Sequence, residues 1–333
     1  MKALFLGGTG NLSLACVREA AARGLDLTIA TRGRKAAELP PGVATVRGDV
    51  TDPAFLGSLA ERRFDAVANF VAFDAADVQR DVAAFGGRVG QYVFVSSASV
   101  YEKPPPHHVV TEETPLANPF WDYARKKIAA EEALRGARRA TGFPATIVRP
   151  SYTYGETWIP TTSGTDYTVA WRMRRGLPVV VPGDGTSLFT LTHASDFARA
   201  LVGLLGRPEA LGEAVHITSD EVMTWNQVHE TIARVLGVTA RLVHVPSDLI
   251  ARIDARRGAS LLGDKAWSTI FDNAKARRLV PGWAARVPFA QGVRASIEWL
   301  EADPARQTID ANATVERILA RWNLAWGPLD TNG

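Results

Sequence analysis

The sequence predicts an α/β fold, a doubly wound parallel sheet followed by a smaller, mixed C-terminal part. Three observations carry that expectation. The chain opens on a short apolar strand, Ala3 to Leu6, which runs into a glycine turn and then a helix. Short apolar runs then alternate with helical stretches as far as Arg149, the pattern of parallel βαβ units. The fifth of these runs breaks into Ser96-Ser97-Ala98-Ser99, at a strand's C-terminal end, where open sheets of this kind place their ligands.

The opening turn, Gly7-Gly8-Thr9-Gly10, lets the backbone bend sharply and approach a ligand closely. The helix after it, Leu12 to Arg23, carries Leu12, Cys16, Val17 and Ala20 on one face. Its N-terminal N–H groups and positive dipole end suit a pyrophosphate. The spacing Gly-x-x-Gly-x-x-Ser is a variant of the dinucleotide fingerprint, with Ser13 where a third glycine usually sits. Gly7, Gly10, Asn11 and Leu12 are therefore expected to hold a dinucleotide. The second strand, Leu25 to Thr31, ends at Arg32-Gly33-Arg34-Lys35. An acidic residue at this point binds the adenosine 2′-hydroxyl, whereas a guanidinium pairs a 2′-phosphate. Thr31 and Arg32 therefore favour NADP over NAD. In the alternative reading Arg32 starts an exposed loop and stacks on adenine.

The third strand is Val43 to Val46, followed by Asp49-Val50. Asp49 either accepts from the adenine amino group or, with Asp52, forms the turn and caps the helix near Pro53. Val50, and Val71 and Ala72 at the end of the fourth strand (Ala66 to Val71), are expected along the cofactor. After the fifth strand, Tyr92 to Val95, and a proline-rich loop, a long helix runs from Trp121 to about Arg138. Tyr123 and Lys127 are four residues apart and share one of its faces. The sixth strand is Ala145 to Arg149, and Pro150 to Tyr154 should pass the nicotinamide.

Here the sequence resembles the extended short-chain dehydrogenase/reductases of the NAD(P)-dependent epimerase/dehydratase superfamily. The matching pieces are Gly7 to Ser13, Asp49-Val50, Val95 to Tyr101, Tyr123 to Lys127, Val148-Arg149-Pro150 with Tyr154-Gly155, Pro182 to Gly185, and Thr192 to Asp196. The resemblance spans essentially the whole chain and implies a Rossmann-type sheet. It implies Tyr123 as general acid/base, Lys127 as its partner and a contact to the nicotinamide ribose, and Ser97 as the hydroxyl holding the substrate oxygen. A phenol is a poor base at neutral pH unless positive charge favours its ionised form, which a neighbouring ammonium provides. Pro150 and Tyr152 are expected at the carboxamide, and Ser99, Tyr154, Trp158 and Phe189 at the substrate. Phe189 stands where nucleotide-sugar relatives usually carry an arginine, and Ala98-Ser99 where 4,6-dehydratases carry an Asp-Glu pair. Both departures favour a reductase or epimerase acting at a secondary carbinol or ketone of a sugar-like or polyol-like substrate. A nucleotide-sugar epimerase with retained NAD and a non-catalytic, RNA-associated dinucleotide binder are the alternatives. The resemblance divides the chain into a dinucleotide-binding domain, 1–157 with a return segment 188–218, and a substrate part, 158–187 and 219–333. It also implies a homodimer through the helix bearing Tyr123.

Composition narrows the classes further. A net charge of +3 with short, scattered basic runs argues against nucleic-acid binding. One cysteine permits neither an intrachain disulfide nor a cysteine-based metal site, and no metal is expected. The absence of a long apolar run argues against a membrane partner. With a strand beginning at once, no signal peptide is expected, and the location expected is cytoplasmic.

Overall fold

The computed structural model describes residues 1–34 and 37–326. Lys35 and the tail Thr331 to Gly333 lie outside the described residues. The strands are β1 (Lys2–Leu6), β2 (Asp26–Thr31), β3 (Ala44–Arg47), β4 (Phe64–Asn69), β5 (Val89–Val95), β6 (Val109–Val110), β7 (Ala145–Pro150), β8 (Tyr152–Tyr154), β9 (Val179–Pro182), β10 (Leu188–His193), β11 (Ala214–Ile217), β12 (Val222–Thr224), β13 (Leu242–Val245) and β14 (Ile270–Phe271). Seven of them form one parallel sheet in the order β11-β7-β5-β4-β1-β2-β3. The strand order reverses beside β1, which opens the crevice that such sheets use for ligands.

Alternation along β1 builds both sides of the sheet. Ala3 and Phe5 join Cys16, Val17 and Ala20 of helix α1 (Asn11–Ala22) in one core. Leu4 and Leu6 join the other core, with residues of α2 (Pro53–Ala60), α3 (Ala75–Phe85) and α4 (Asp122–Thr141). After α5 (Thr168–Arg174), helix α6 (Ala194–Leu204) packs against α1.

Several boundaries differ from the sequence expectation, each for a local reason. Strand β4 stops at Asn69 rather than Val71, because the Asn69 side-chain oxygen accepts the N–H groups of Val71 (2.7 Å) and Ala72 (2.8 Å) and turns the chain. Helix α4 starts at Asp122 and runs on to Thr141, where Gly142 ends it at φ 71°. Strand β10 does not enter the main sheet. It pairs with β8 and β12 in a separate three-stranded sheet, while β11 returns the chain to the main one.

Candidate active site

The turn after β1 has the geometry its glycines allow. Gly7 and Gly8 adopt φ of 94° and 141°, and a Cβ on Gly8 would come within 3.0 Å of Ile29. The Ser13 hydroxyl, in place of a glycine, accepts the Gly10 N–H at 3.0 Å and ties the turn to the first turn of α1. The turn forms the floor of a cleft of about 550 Å³. Of the residues expected at the cofactor, Gly7, Gly10, Thr31, Arg32, Asp49, Val50, Val71 and Ala72 line this cleft. Asn11, Leu12, Pro150, Tyr152, Tyr123 and Lys127 do not line it. The Asn11 side chain instead accepts from the Thr157 hydroxyl at 3.1 Å.

Arg32 and Arg34 stand on the cleft wall with Asp49. Asp49 is occupied as a turn residue. The Thr51 N–H (3.0 Å) and hydroxyl (2.8 Å), with Arg32 and Arg34 beyond them, hold its carboxyl below the usual range. Asp52, not Asp49, caps α2, through the Ala54 N–H. The cleft's glycine floor, its helix N-terminus and its arginine wall fit a phosphate-bearing dinucleotide.

Ser97, Tyr123 and Lys127 come together beyond this cleft. Ser97 begins a short 3₁₀ turn, Ala98–Val100, and its hydroxyl lies 2.9 Å from that of buried Ser99. Tyr123 projects from the first turn of α4, with the Trp121 ring 4.8 Å and the Phe73 ring 6.2 Å away. Burial raises its phenol pKa, a hydrogen bond from Ser97 lowers it, and the charge of Asp264 raises it. Lys127 sits one helical turn on, its ammonium 5.9 Å from the Tyr123 ring centre. That ammonium is buried and donates to the carbonyls of Ala72 (2.7 Å) and Val95 (2.9 Å). Burial depresses its pKa to about 8, against the opposing pull of Glu131 and Asp77. Because Ala72 also lines the cleft, Lys127 bridges the cleft wall and Tyr123.

The residues expected at the substrate divide. Ser99 lies beside Ser97, and Trp158 is 38% exposed. Phe189 and Tyr154 are core residues, 1% and 0% exposed. The register of β10 turns Phe189 inward onto the Trp225 ring at 5.0 Å, and Tyr154 packs between His193 and Phe289. Tyr152 spends its hydroxyl on the Thr161 carbonyl at 3.0 Å. His193 caps α6 through the Ser195 N–H.

Other residues of the site escaped the sequence reading. Asn69 shapes the cleft wall, as described above. Asn118 donates to the Ser99 carbonyl (2.8 Å) and the Gly263 carbonyl (2.7 Å), and accepts from the Trp121 N–H at the start of α4 (3.1 Å). Beneath Ser97, Glu131 accepts from Ser96 (2.7 Å) and from fully buried Arg149 (3.0 and 2.6 Å). A polar residue inside an apolar strand, such as Asn69, was the one available signal; Asn118 offered none.

Comparison with known proteins places this geometry in a family. The family model described as "NAD dependent epimerase/dehydratase family" matches residues 3–218. The chain is 31% identical over 289 residues to a 2′-dehydrokanamycin reductase of Streptomyces kanamyceticus, covering 86% of this chain and 81% of that protein. It is 27% identical to chloroplast stem-loop binding protein of 41 kDa b of Arabidopsis thaliana, over 71% of this chain and 63% of that protein. In fold it is similar to a UDP-glucuronic acid 4-epimerase of Bacillus cereus, solved with UDP-glucuronic acid and NAD, at TM-score 0.73 and 17% identity, covering 91% of this chain and 99% of that one. Among the described residues no helix is long and apolar enough to cross a membrane. With the glycine turn, the seven-stranded parallel sheet and the match over residues 3–218 together, the chain belongs to the NAD dependent epimerase/dehydratase family and is an enzyme dependent on a nicotinamide dinucleotide.

Proposed function

We propose that this protein is an NADP-linked oxidoreductase that works at a secondary carbinol or ketone of a sugar-like or polyol-like substrate, with Ser97, Tyr123 and Lys127 as its reacting constellation. The observation that carries the proposal is the convergence of a hydroxyl, a phenol whose ionisation that hydroxyl favours, and a buried ammonium one helical turn away. When bound, the dinucleotide supplies the hydride or takes it up. The chain's own residues move the proton and hold the oxygen. In the reducing direction Ser97 hydrogen-bonds the carbonyl oxygen and Tyr123 delivers its phenolic proton there as the oxygen gains charge. The ammonium of Lys127 stabilises the phenolate left behind. In the oxidising direction the phenolate takes the carbinol proton back.

Arg32 and Arg34 on the cleft wall support NADP, since a guanidinium fork matches a 2′-phosphate. Ala98-Ser99 after Ser97 supply no Asp-Glu pair for elimination, which disfavours a dehydratase. The Streptomyces relative, named for reduction of a 2′-dehydro compound, supports the reductase direction. The Arabidopsis relative named for stem-loop binding keeps an RNA-associated role as the competing reading. Tyr123→Phe separates the two. The variant is expected to lose at least about a hundredfold in turnover across a panel of keto sugars while binding NADPH as the parent does. Unchanged turnover overturns the proposal.

A further inference from the structure

Phe73 lines the dinucleotide cleft, although nothing in the sequence pointed to it. It is 52% exposed, and Val71, two residues earlier on the same wall, is 37% exposed. A large apolar side chain left in water is ordinary when it stands alone. Two of them on one loop, inside a cleft, mark a contact surface.

The exposure of Phe73 is not slack in the chain. Three successive N–H groups of its loop are held by side chains. Asn69 Oδ1 accepts from Val71 (2.7 Å) and Ala72 (2.8 Å), and Asp77 Oδ2 accepts from Phe73 (2.8 Å). Asp77 is fixed in turn by the Arg80 guanidinium at 2.8 Å. The backbone therefore presents the Phe73 ring in one place. On the protein side the ring meets Tyr123 edge-on, centre to centre at 6.2 Å, and lies 5.1 Å from the Lys127 ammonium. What these contacts leave uncovered lines the cleft.

A dinucleotide brings a flat ring to each end of such a cleft. The end walled by Arg32, Arg34 and Asp49 suits adenosine. Phe73 stands at the other end, against the two residues that handle the proton, so the ring that reaches it is the one that exchanges the hydride. Aromatic rings packed edge-on or offset gain more than the area they bury, and a ring already fixed in place loses little freedom on contact. We propose that Phe73 is a cofactor-binding residue whose ring packs against the nicotinamide of the bound dinucleotide and holds it beside Tyr123. This role rests on the reading of the cleft and of Ser97, Tyr123 and Lys127 given above. The competing occupant of the exposed ring, an apolar face of the substrate, would leave dinucleotide binding untouched.

The test is calorimetric binding of two ligands to the full chain, NADPH and 2′-phospho-ADP-ribose, which is the same molecule without its nicotinamide. Phe73→Ala is expected to weaken NADPH binding about tenfold and to leave 2′-phospho-ADP-ribose within about twofold of the parent. Phe73→Tyr keeps the ring and is expected to bind both ligands as the parent does. Unchanged NADPH affinity in Phe73→Ala, or equal losses of the two ligands, overturns the assignment. Should Phe73→Ala fail to fold, Phe73→Leu, which keeps the bulk and loses the flat ring, decides by the same comparison. Failure of the underlying readings shows elsewhere. A parent that binds NADH in place of NADPH overturns the cofactor preference, and NADH and ADP-ribose then serve as the two ligands. Turnover that survives Tyr123→Phe overturns the reacting constellation.

Discussion

Lys127 controls how this site responds to pH, and its burial makes that response measurable. Its side chain is sealed among Phe73, Phe94 and Tyr123, with the ammonium on two backbone carbonyls. Burial lowers its pKa from 10.5 to about 8. Below pH 8 the folded and unfolded chains both hold this proton, and the fold bears the whole cost of the buried charge. Between pH 8 and 10.5 the folded chain has released the proton while the unfolded chain still binds it. The fold therefore gains stability from this residue as pH rises through that window. At 1.36 kcal/mol per pKa unit, the gain between pH 7 and pH 10 is about 2.5 kcal/mol. Other groups titrate over the same range, and they cancel when the parent is compared with Lys127→Met. Urea unfolding of both proteins at pH 7 and pH 10 is expected to show the parent gaining on the variant by about 2.5 kcal/mol. A difference that stays flat to within about 1 kcal/mol refutes a lysine that is both buried and charged at neutral pH.

Three further perturbations follow from the same geometry. Gly8→Ala forces a side chain into φ 141° against Ile29, and is expected to cost about 1–3 kcal/mol in denaturant unfolding and to weaken dinucleotide binding; unchanged affinity would remove the turn from the binding site. Arg32→Ser combined with Arg34→Ser is expected to weaken NADPH binding by at least about tenfold in calorimetry while leaving NADH within twofold, and equal losses for both cofactors would exclude a 2′-phosphate contact. Glu131→Gln leaves the buried Arg149 guanidinium without its anion and is expected to destabilise the fold by about 3–5 kcal/mol; a loss under about 1 kcal/mol would show that Tyr101, which also accepts from Arg149, suffices.

The parts of this molecule that were legible in its sequence are those set by short-range physics. Gly7 and Gly8 announce a turn that side chains resist, and the apolar runs around it announce a parallel sheet. Tyr123 and Lys127 announce a shared helical face through their spacing alone. What sequence could not show is which way a strand residue faces once tertiary pairing is chosen. Phe189 and Tyr154 were expected at the substrate. The pairing of β10 with β8 and β12, and the Trp225 and Phe289 rings, put both inside. Asp264 lies 141 positions beyond Tyr123, and the tertiary contacts of its turn with Asn118 and Trp121 bring the two near each other.

The buried polar chain behind β4 explains why Lys127 can be held so exactingly without a carboxylate of its own. The carbonyl of Ala72 receives the Lys127 ammonium, and the N–H of the same residue donates to Asn69. Asn69 presents its oxygen to that loop only if its amide nitrogen is spoken for, and Asp81 takes it at 2.5 Å. Asp81 in turn accepts from the Tyr92 hydroxyl, deep in the core. Burial raises the Asp81 pKa to about 6, because desolvation outweighs the hydrogen bonds from Tyr92 and Asn69. A carboxylate kept there at such cost, on an edge of the site where no substrate reaches it, acts by fixing one amide orientation. That orientation sets the backbone that forms the cleft wall on one side and anchors Lys127 on the other. The chain Tyr92–Asp81–Asn69–Ala72–Lys127 thus runs from the core through the loop that lines the cleft to the buried ammonium, with Asn69 fixing the loop that joins the two.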